Sequence, residues 1–380
     1  MRITNKINAL MHPAMLAYVR RQYAKKIALV EHKHPELFAN VDGKVVAAHQ
    51  RLWSQLARNP SDKWLRMFAQ ISSSQDYRFV PEDIYYGVVE RCLNNCNAAG
   101  FGVEDKSDVC FYIPADNQPK VVIRYVRGVF FDGEMEPIPE DTAQKILDSY
   151  SGDVVGKPTM GSCGGARVVC FNVQKDGKKK WRQVELTTRW IVENFEAYVV
   201  QEKIVQERSV SEFNPMSINT CRIMTFRRPW SGQVSVIAGM LRLGCSAEVV
   251  DNLAAGGVSV DIDAGGKLAG FAVDHDFGKV SQHPVSHKTF GDFVVPHYTA
   301  MCEVVCNIAK KVPGFNLLSF DVVARDDGTP CVIEINATSM TLAQLQTQRP
   351  LFGVETEQVV EWCKHHRARF DLFNHFRTWL

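Results

Sequence analysis

From residue 14 to about residue 70, apolar positions recur every three or four residues. "MLAYVRRQYAKKIALVEHK" and "VVAAHQRLWSQLARN" both carry this spacing, which predicts helices with one buried face. "DYRFVPEDIYYGVVERCLN" predicts a further helix that starts after Pro81, with Glu82 and Asp83 suited to a first turn. Near residue 109 the texture changes to short β-rich runs: "VCFYIP", "KVVIRYVRGVFF", "VVGKPTM" and "ARVVCFNV", with helical "PEDTAQKILDSY" among them. "AYVVQEKIV", "CRIMTFRR", "QVSVIAGMLRLG" and "GGVSVDID" then read as consecutive strands. Helix "YTAMCEVVCNIAKKV" follows, and "ETEQVVEWCKHHRARF" supplies a last helix. The pattern is a helical N-terminal part followed by mixed α+β lobes, without internal repeats or low-complexity stretches.

Between these last two helices lies "SFDVVARDDGTPCVIEINATS", two β-like runs around an Asp-Gly turn. An antiparallel hairpin brings Asp321 near Glu334 and Asn336, and the two-residue spacing of the latter pair points them to one face. Two carboxylates and an amide oxygen converging there repel each other unless something positive sits between them. All-oxygen donors suit a hard cation, and so few of them leave coordination positions for phosphate oxygens. A hairpin with polar residues facing solvent is the alternative reading of this stretch.

Three more stretches carry candidate chemistry. In "VVGKPTMGSCGGARVVCF", Lys157 precedes Gly161, Ser162, Gly164 and Gly165, and glycines let backbone N–H groups approach phosphate closely. It is not a Walker loop, since no "GK[ST]" opens a helix, and a plain structural turn stays open. In "AYVVQEKIVQE", an apolar strand ends in Gln201 and Glu202 before Ile204, a segment able to meet a purine edge or simply to end a strand. Arg222 and Arg242 interrupt strands that otherwise look buried, so they need anionic partners, whether ligands or structural carboxylates. Asn252, with Gly256 and Gly257, adds an amide on a flexible loop.

Composition narrows the class. At 380 residues, 46% hydrophobic and 23% charged, the chain has the make-up of a globular protein with two or three packed units. A net charge of +2 gives no global argument for nucleic acid. The first 34 residues are an exception: Arg2, Lys6, Arg20, Arg21, Lys25, Lys26 and Lys33 face a single acid, Glu31. Such an end suits weak peripheral contact with an anionic membrane, or else a solvated helix face. No apolar run reaches the length of a membrane span, and "NALMHPAMLAYV" does not read as a signal peptide. The 11 cysteines form neither a disulfide framework nor a zinc pattern, which fits a reducing, cytoplasmic setting.

Taken in order, the lysine-and-glycine loop, the hinge, the basic strands and the terminal Asp…Glu-x-Asn set resemble the ATP-grasp superfamily. The Asp321–Glu334–Asn336 intervals are similar to those of D-alanine–D-alanine ligases. "KPTMGSCGGA" and "CRIMTF…DNLAAGG" look like ligases that add glutamate to a ribosomal protein's tail. The chain most resembles the sugar-transfer-associated ATP-grasp family, on "RFVPEDIYY", "VEDKSD", "PKVVIRYVRGVFFDG", "SINTCRIMTF", "VVDNLAAGG", "QHPVSH" and "QRPLFG", over roughly residues 75–360.

The resemblance implies an α+β ATP-grasp fold, two lobes gripping ATP. Residues 1–74 would form a helical N-terminal region, 75–150 the first part of the unit, 151–205 the small lobe and 206–380 the large lobe. It implies Lys106 and Lys157 as phosphate-binding lysines, and Gly161, Ser162, Gly164 and Gly165 as a lid that includes Cys163. Gln201, Glu202 and Ile204 become the adenine hinge, and Asp321, Glu334 and Asn336 the ligands of Mg2+ (or Mn2+). Arg222, Arg242 and Asn252 would face the γ-phosphate and a carboxylate substrate. No acidic ribose ligand aligns cleanly, and Glu207 is the candidate. Ser107 and Ala166 depart from the commoner residues of the pattern.

The activity so implied is ATP-dependent carboxylate–amine ligation through an acyl phosphate, with small-molecule amine and carboxylate substrates. The family name suggests a sugar acid or glycan precursor in surface polysaccharide assembly. An ATP-grasp ligase making peptides or natural products, and a non-catalytic ATP-binding module, are the rival expectations. Whether the chain forms homo-oligomers is not legible in its sequence.

Overall fold

The computed structural model describes residues 2–94, 99–161, 167–245, 256–338 and 342–366. The N-terminal region is helical, as its periodicity predicts. A long helix, Arg2–Lys33, is followed by helices Gly43–Trp53 and Lys63–Ser72. Val19, Tyr23 and Ile27, spaced four apart on the first helix, pack against Trp64, Leu65, Phe68 and Phe79 in a core of their own.

The basic character of the first helix has an internal partner. Arg20 Nε donates to Asp83 Oδ2 at 3.0 Å, and Lys26 Nζ donates to Glu82 Oε2 at 2.8 Å. Both acids stand just after Pro81 and are buried; burial pushes both carboxyl groups up despite the cations beside them. From Glu82 the helical run continues through a π-helical segment, Tyr85–Val89, to Leu93. Gly87 lies where the first helix crosses: a Cβ there would come within 2.6 Å of Leu16 Cδ1. Two cations of the basic stretch therefore fasten this helix to the rest of the molecule.

Among the described residues, the strands form two antiparallel sheets. The strands, in chain order, are β1 Val121–Val126, β2 Val129–Phe131, β3 Pro137–Ile138, β4 Val154–Pro158, β5 Val169–Val173, β6 Lys179–Trp181, β7 Val184–Glu185 and β8 Ala197–Glu202. These eight make one sheet in the order β3-β2-β1-β8-β4-β5-β6-β7. The second sheet holds β9 Cys221–Arg227, β10 Val234–Leu243, β11 Val258–Ile262, β12 Leu268–Val273, β13 Lys279–Val280, β14 Leu317–Ala324 and β15 Pro330–Asn336, ordered β13-β12-β11-β10-β9-β14-β15. Since β8 lies between β1 and β4, residues 121–138 and 154–202 share one sheet.

The first sheet separates apolar from polar positions by alternation, whereas the second buries apolar side chains on both faces. On the first, Val154, Tyr198 and Val200 pack with Ala143 and Leu147 of helix Glu140–Ser149 and Ile191 of helix Thr188–Asn194. Val155, Lys157 and Gln201, one residue out of step, belong to the opposite face. On the second sheet, Ile223, Leu241 and Phe320 join the core under helix Tyr298–Lys311. Met224, Phe226, Ala238, Met240 and Leu317 form the other face, against the Glu82–Leu93 run and helix Thr356–His365. That second face changes character along the strands: beyond Met224 and Met240 its next positions are Arg222 and Arg242.

One expected strand is absent. "VCFYIP" forms a 3-10 turn at Val109–Phe111 instead. The buried residues there are Val109 and Ile113, four apart, which is a helical and not a strand spacing, while Phe111 stays exposed.

Candidate active site

The polar face of the first sheet and the charged end of the second line a single cavity of about 830 Å3. Lys106, Lys157, Gly161, Gln201, Glu202, Ile204, Arg222, Arg242, Asp321, Glu334 and Asn336 all line it. Residues separated by more than two hundred positions are thus brought together by the two sheets. Ser162, Gly164, Gly165 and Asn252 lie outside the described residues.

The hairpin forms as its sequence predicts. Gly328, at φ +86°, allows the turn, and Thr329 N–H donates to the Asp327 carboxylate at 2.8 Å. In the β14–β15 register Asp321 faces Glu334. The ladder then slips, so that Val322 faces Val332 and Ile333 is bulged out to line the cavity. On its other side, Asp321 faces Arg222 of β9. A row therefore runs across three neighbouring strands as arginine, aspartate, glutamate.

Asp321 is held tightly in that row. Arg222 Nε donates to its Oδ1 at 2.7 Å and Nη2 to its Oδ2 at 2.8 Å, a two-pronged contact. Arg242 Nη1 reaches both oxygens, at 3.3 and 3.2 Å. Burial alone would push this carboxyl up, but the two guanidinium charges together outweigh it and hold Asp321 well below the usual carboxylate range. Glu334 meets Lys106 Nζ at 3.2 Å. Asn336 Nδ2 is buried without a hydrogen-bond partner among the described residues.

Lys157 extends from β4 and is 5% exposed. Its ammonium is pulled down to about 8, first by burial and then by the neighbouring Lys106 charge. Lys106 is placed by its backbone, whose N–H donates to Thr159 C=O at 3.0 Å just past β4. Ser107, the departure from the commoner pattern, donates its hydroxyl to Asp105 at 2.7 Å and stabilises the turn. Gly161 sits at φ +71°, a conformation that favours glycine.

The hinge residues divide by role. Gln201 and Ile204 are buried on the cavity wall. The Glu202 carboxylate is engaged elsewhere: it accepts from Lys120 N–H at 2.9 Å and pairs with Arg325 Nη2 at 2.8 Å. Because Arg325 directly follows β14, this pair ties the first sheet to the β14–β15 hairpin. Glu207 is not on the wall. It caps the short helix Arg208–Ser211, accepting from Val210 N–H at 3.1 Å and Ser209 Oγ at 2.6 Å, so its carboxylate is occupied by its own chain.

The wall also includes groups that sequence reasoning missed. Glu104 Oε1 accepts from Ala337 N–H at 2.8 Å and Thr338 Oγ1 at 3.1 Å, so it buttresses the chain just after Asn336. Its nearness to Lys106 in "VEDKSD" was the available signal. Gln206 exchanges hydrogen bonds with the Asn219 backbone through both its amide atoms, joining the hinge to the segment before β9.

Lys106, Lys157, Arg222 and Arg242 stand against Asp321 and Glu334, so this end of the cavity is built for an anion. The all-oxygen set of Asp321, Glu334 and Asn336, on facing positions of one hairpin, fits a hard divalent cation arriving with that anion. Among the described residues no cluster of three or more His, Cys, Asp and Glu side chains forms a metal site, so any cation here depends on the amide and on the ligand. No helix among the described residues is long and apolar enough to cross a membrane.

The sugar-transfer associated ATP-grasp family matches residues 128–360, and the chain belongs to that family. No curated protein matches it. Among solved structures, N5-carboxyaminoimidazole ribonucleotide synthetase from Thermotoga maritima is similar at 10% identity and a TM-score of 0.32, over 62% of this chain and 42% of that one. An L-amino acid ligase from Bacillus licheniformis is similar at 12% identity and a TM-score of 0.37, over 69% and 48%. The ATP-grasp ligase PsnB, complexed with a minimal precursor, Mg and ADP, is similar at 13% identity and 0.38, over 70% and 61%. The chain thus spans less than two thirds of each of these, and at this similarity none of their activities transfers to it.

Proposed function

We propose, from membership in the sugar-transfer associated ATP-grasp family, that the chain is an ATP-dependent ligase joining a carboxylate to an amine, with ADP and phosphate as co-products. The observation that carries this reading is the convergence of Lys106, Lys157, Arg222 and Arg242 with Asp321, Glu334 and Asn336 in one cavity. ATP is the substrate such a set recognises. Lys106 and Lys157 hold its phosphates, and Gln201 and Ile204 border its base. Asp321, Glu334 and Asn336 would hold Mg2+ (or Mn2+), which when bound neutralises phosphate charge and polarises the transferred phosphoryl group.

The chain's own residues then act by position and charge. Two anions, the nucleotide tail and the attacking carboxylate, must approach each other, and the lysines and arginines offset the repulsion between them. Attack on the γ-phosphorus gives an acyl phosphate and ADP, and an amine then displaces phosphate. No side-chain nucleophile is needed. The intermediate has to be kept from water, since an acyl phosphate is lost to hydrolysis in an open site.

For the pair joined, the family description favours a sugar acid, linked to an amino acid or amine on a surface glycan precursor, in the cytoplasm. The test is incubation of the purified protein with MgATP, pooled amino acids, and pooled uronic acids or their nucleotide-sugar forms, following nucleotide and product masses together. ADP formed only with a sugar acid, with a matching amide mass, is the expected result. ADP formed with amino acids alone would replace the sugar reading with peptide ligation. Saturable ATP binding without turnover on any pool would count against catalysis on free small molecules.

A further inference from the structure

The two arginines and the hairpin carboxylate occupy one another. Both Asp321 oxygens accept from Arg222, and both also accept from Arg242. A carboxylate offers about four lone-pair sites, so four donor contacts leave it little capacity for a cation. A divalent ion between Asp321 and Glu334 would also lie against the Arg222, Arg242 and Lys106 charges. Arg222 is the more accessible of the two arginines: its side chain is 26% exposed, against 9% for Arg242 and 8% for Asp321.

We infer that Asp321 is an exchange point: it binds Arg222 and Arg242 until a metal–nucleotide complex takes its oxygens, and the displaced guanidinium groups then turn to the anionic second substrate. The inference rests on the nucleotide reading above and adds an order of binding to it. The carboxylate substrate meets its arginines only after the metal-bound nucleotide has arrived. Charge is compensated again once both have bound, because each arginine leaves one anion for another while the dication replaces it at Asp321. Closing the chemical site only when both substrates are present follows from this order. By linkage, the metal tightens anion binding and the anion tightens metal binding by the same factor.

Inorganic phosphate serves as the anion probe in isothermal titration. Phosphate is titrated into wild-type protein holding ADP in EDTA and then into protein holding MgADP, and into Asp321→Asn holding ADP in EDTA. Phosphate is expected to bind the MgADP form about tenfold more tightly than the metal-free form. Asp321→Asn, which removes the Asp321 charge from the arginines, is expected to match the tighter value without any metal. Equal phosphate affinity in the two wild-type forms overturns the exchange. So does an Asp321→Asn affinity no tighter than the metal-free wild type.

Loss of Asp321 leaves two guanidinium groups without this carboxylate, and the variant can fail to fold. A second measurement then decides: Mn2+ binding followed by electron paramagnetic resonance, with the wild type against Arg222→Gln. Arg222→Gln is expected to bind Mn2+ about tenfold more tightly and to lose the further tightening that phosphate gives the wild type, whereas loss of the arginine charge alone leaves that phosphate effect in place and overturns the exchange. Unchanged or weaker Mn2+ binding overturns the proposal. If MgADP fails to bind the wild type, the nucleotide reading falls, while the Asp321→Asn and Mn2+ measurements still decide the exchange.

Discussion

Lys157→Met tests the nucleotide reading with a magnitude that follows from the site. The side chain is 5% exposed, so methionine of similar length fills its space with little strain. What is lost is a charge-assisted hydrogen bond to phosphate, worth about 1.5–3 kcal/mol, or roughly 10- to 150-fold in the Kd of MgADP. The pH dependence gives a second, sharper readout. With its pKa pulled down to about 8, the ammonium is charged in roughly nine molecules of ten at pH 7. Above pH 8 a proton must be taken up when phosphate binds, so the wild-type Kd should rise by up to about tenfold per pH unit. Phosphate itself, with a pKa near about 6, does not titrate in that window. Lys157→Arg stays charged throughout and should bind with a flat profile. Calorimetric titration of MgADP from pH 7 to 9.5 checks both. A Lys157→Met affinity within twofold of wild type, or the same slope in wild type and Lys157→Arg, would refute the assignment.

Three further outcomes are expected from the structure. Glu207→Ala should cost about 1 kcal/mol of stability through the lost cap yet leave MgADP affinity unchanged; a weaker Kd would restore a nucleotide role for this residue. Arg20→Ala leaves the buried Asp83 carboxylate without its cation and should lower unfolding free energy in urea by roughly 3 kcal/mol; a loss under 1 kcal/mol would mean that the first helix is held by its apolar face alone. His49 is buried, bonded through Nδ1 to the Tyr77 carbonyl, and pulled down to about 4 by burial. Its folded pKa lies below the unfolded value, so the stability it contributes is present above about pH 6.5 and falls by about 3 kcal/mol as pH drops to 4. His49→Gln should remove most of that slope in urea melts at pH 4 to 7, and an unaltered slope would exclude His49 as its source.

Helices with a clear apolar stripe were legible because 3.6-residue spacing survives without tertiary context, as at Val19, Tyr23 and Ile27. The β14–β15 hairpin was legible because its turn chemistry is local. Short elements were not. β6 and β7 consist of "KKW" and "VE", whose polarity carries no period, and they are recognisable only by their pairing, β6 on the edge of β5 and β7 on β6. "VCFYIP" misled because β-rich composition outweighed its true four-residue burial spacing. Glu207 shows a related ambiguity: an acid two residues before Ser209 reads equally as a ligand or as a cap, and the sequence does not show that its carboxylate accepts from Ser209 and Val210.

The cavity's charge pattern shows most clearly what linear order conceals. Along the sequence there are two separate puzzles: arginines in buried strands that need anions, and hairpin carboxylates that need something positive. The separation of 99 positions between Arg222 and Asp321 hides that each is the other's answer, since the pairing depends on β14 docking beside β9 in one particular register. A slip of one residue would turn Asp321 to the apolar face that carries Phe320, which burial forbids. The hydrophobic alternation of β9 and β14 thus sets the register, and the register sets which charges meet. A site that looks overcharged in sequence pairs much of its charge internally, and the cations left in excess of Asp321 and Glu334 keep the cavity attractive to an anion.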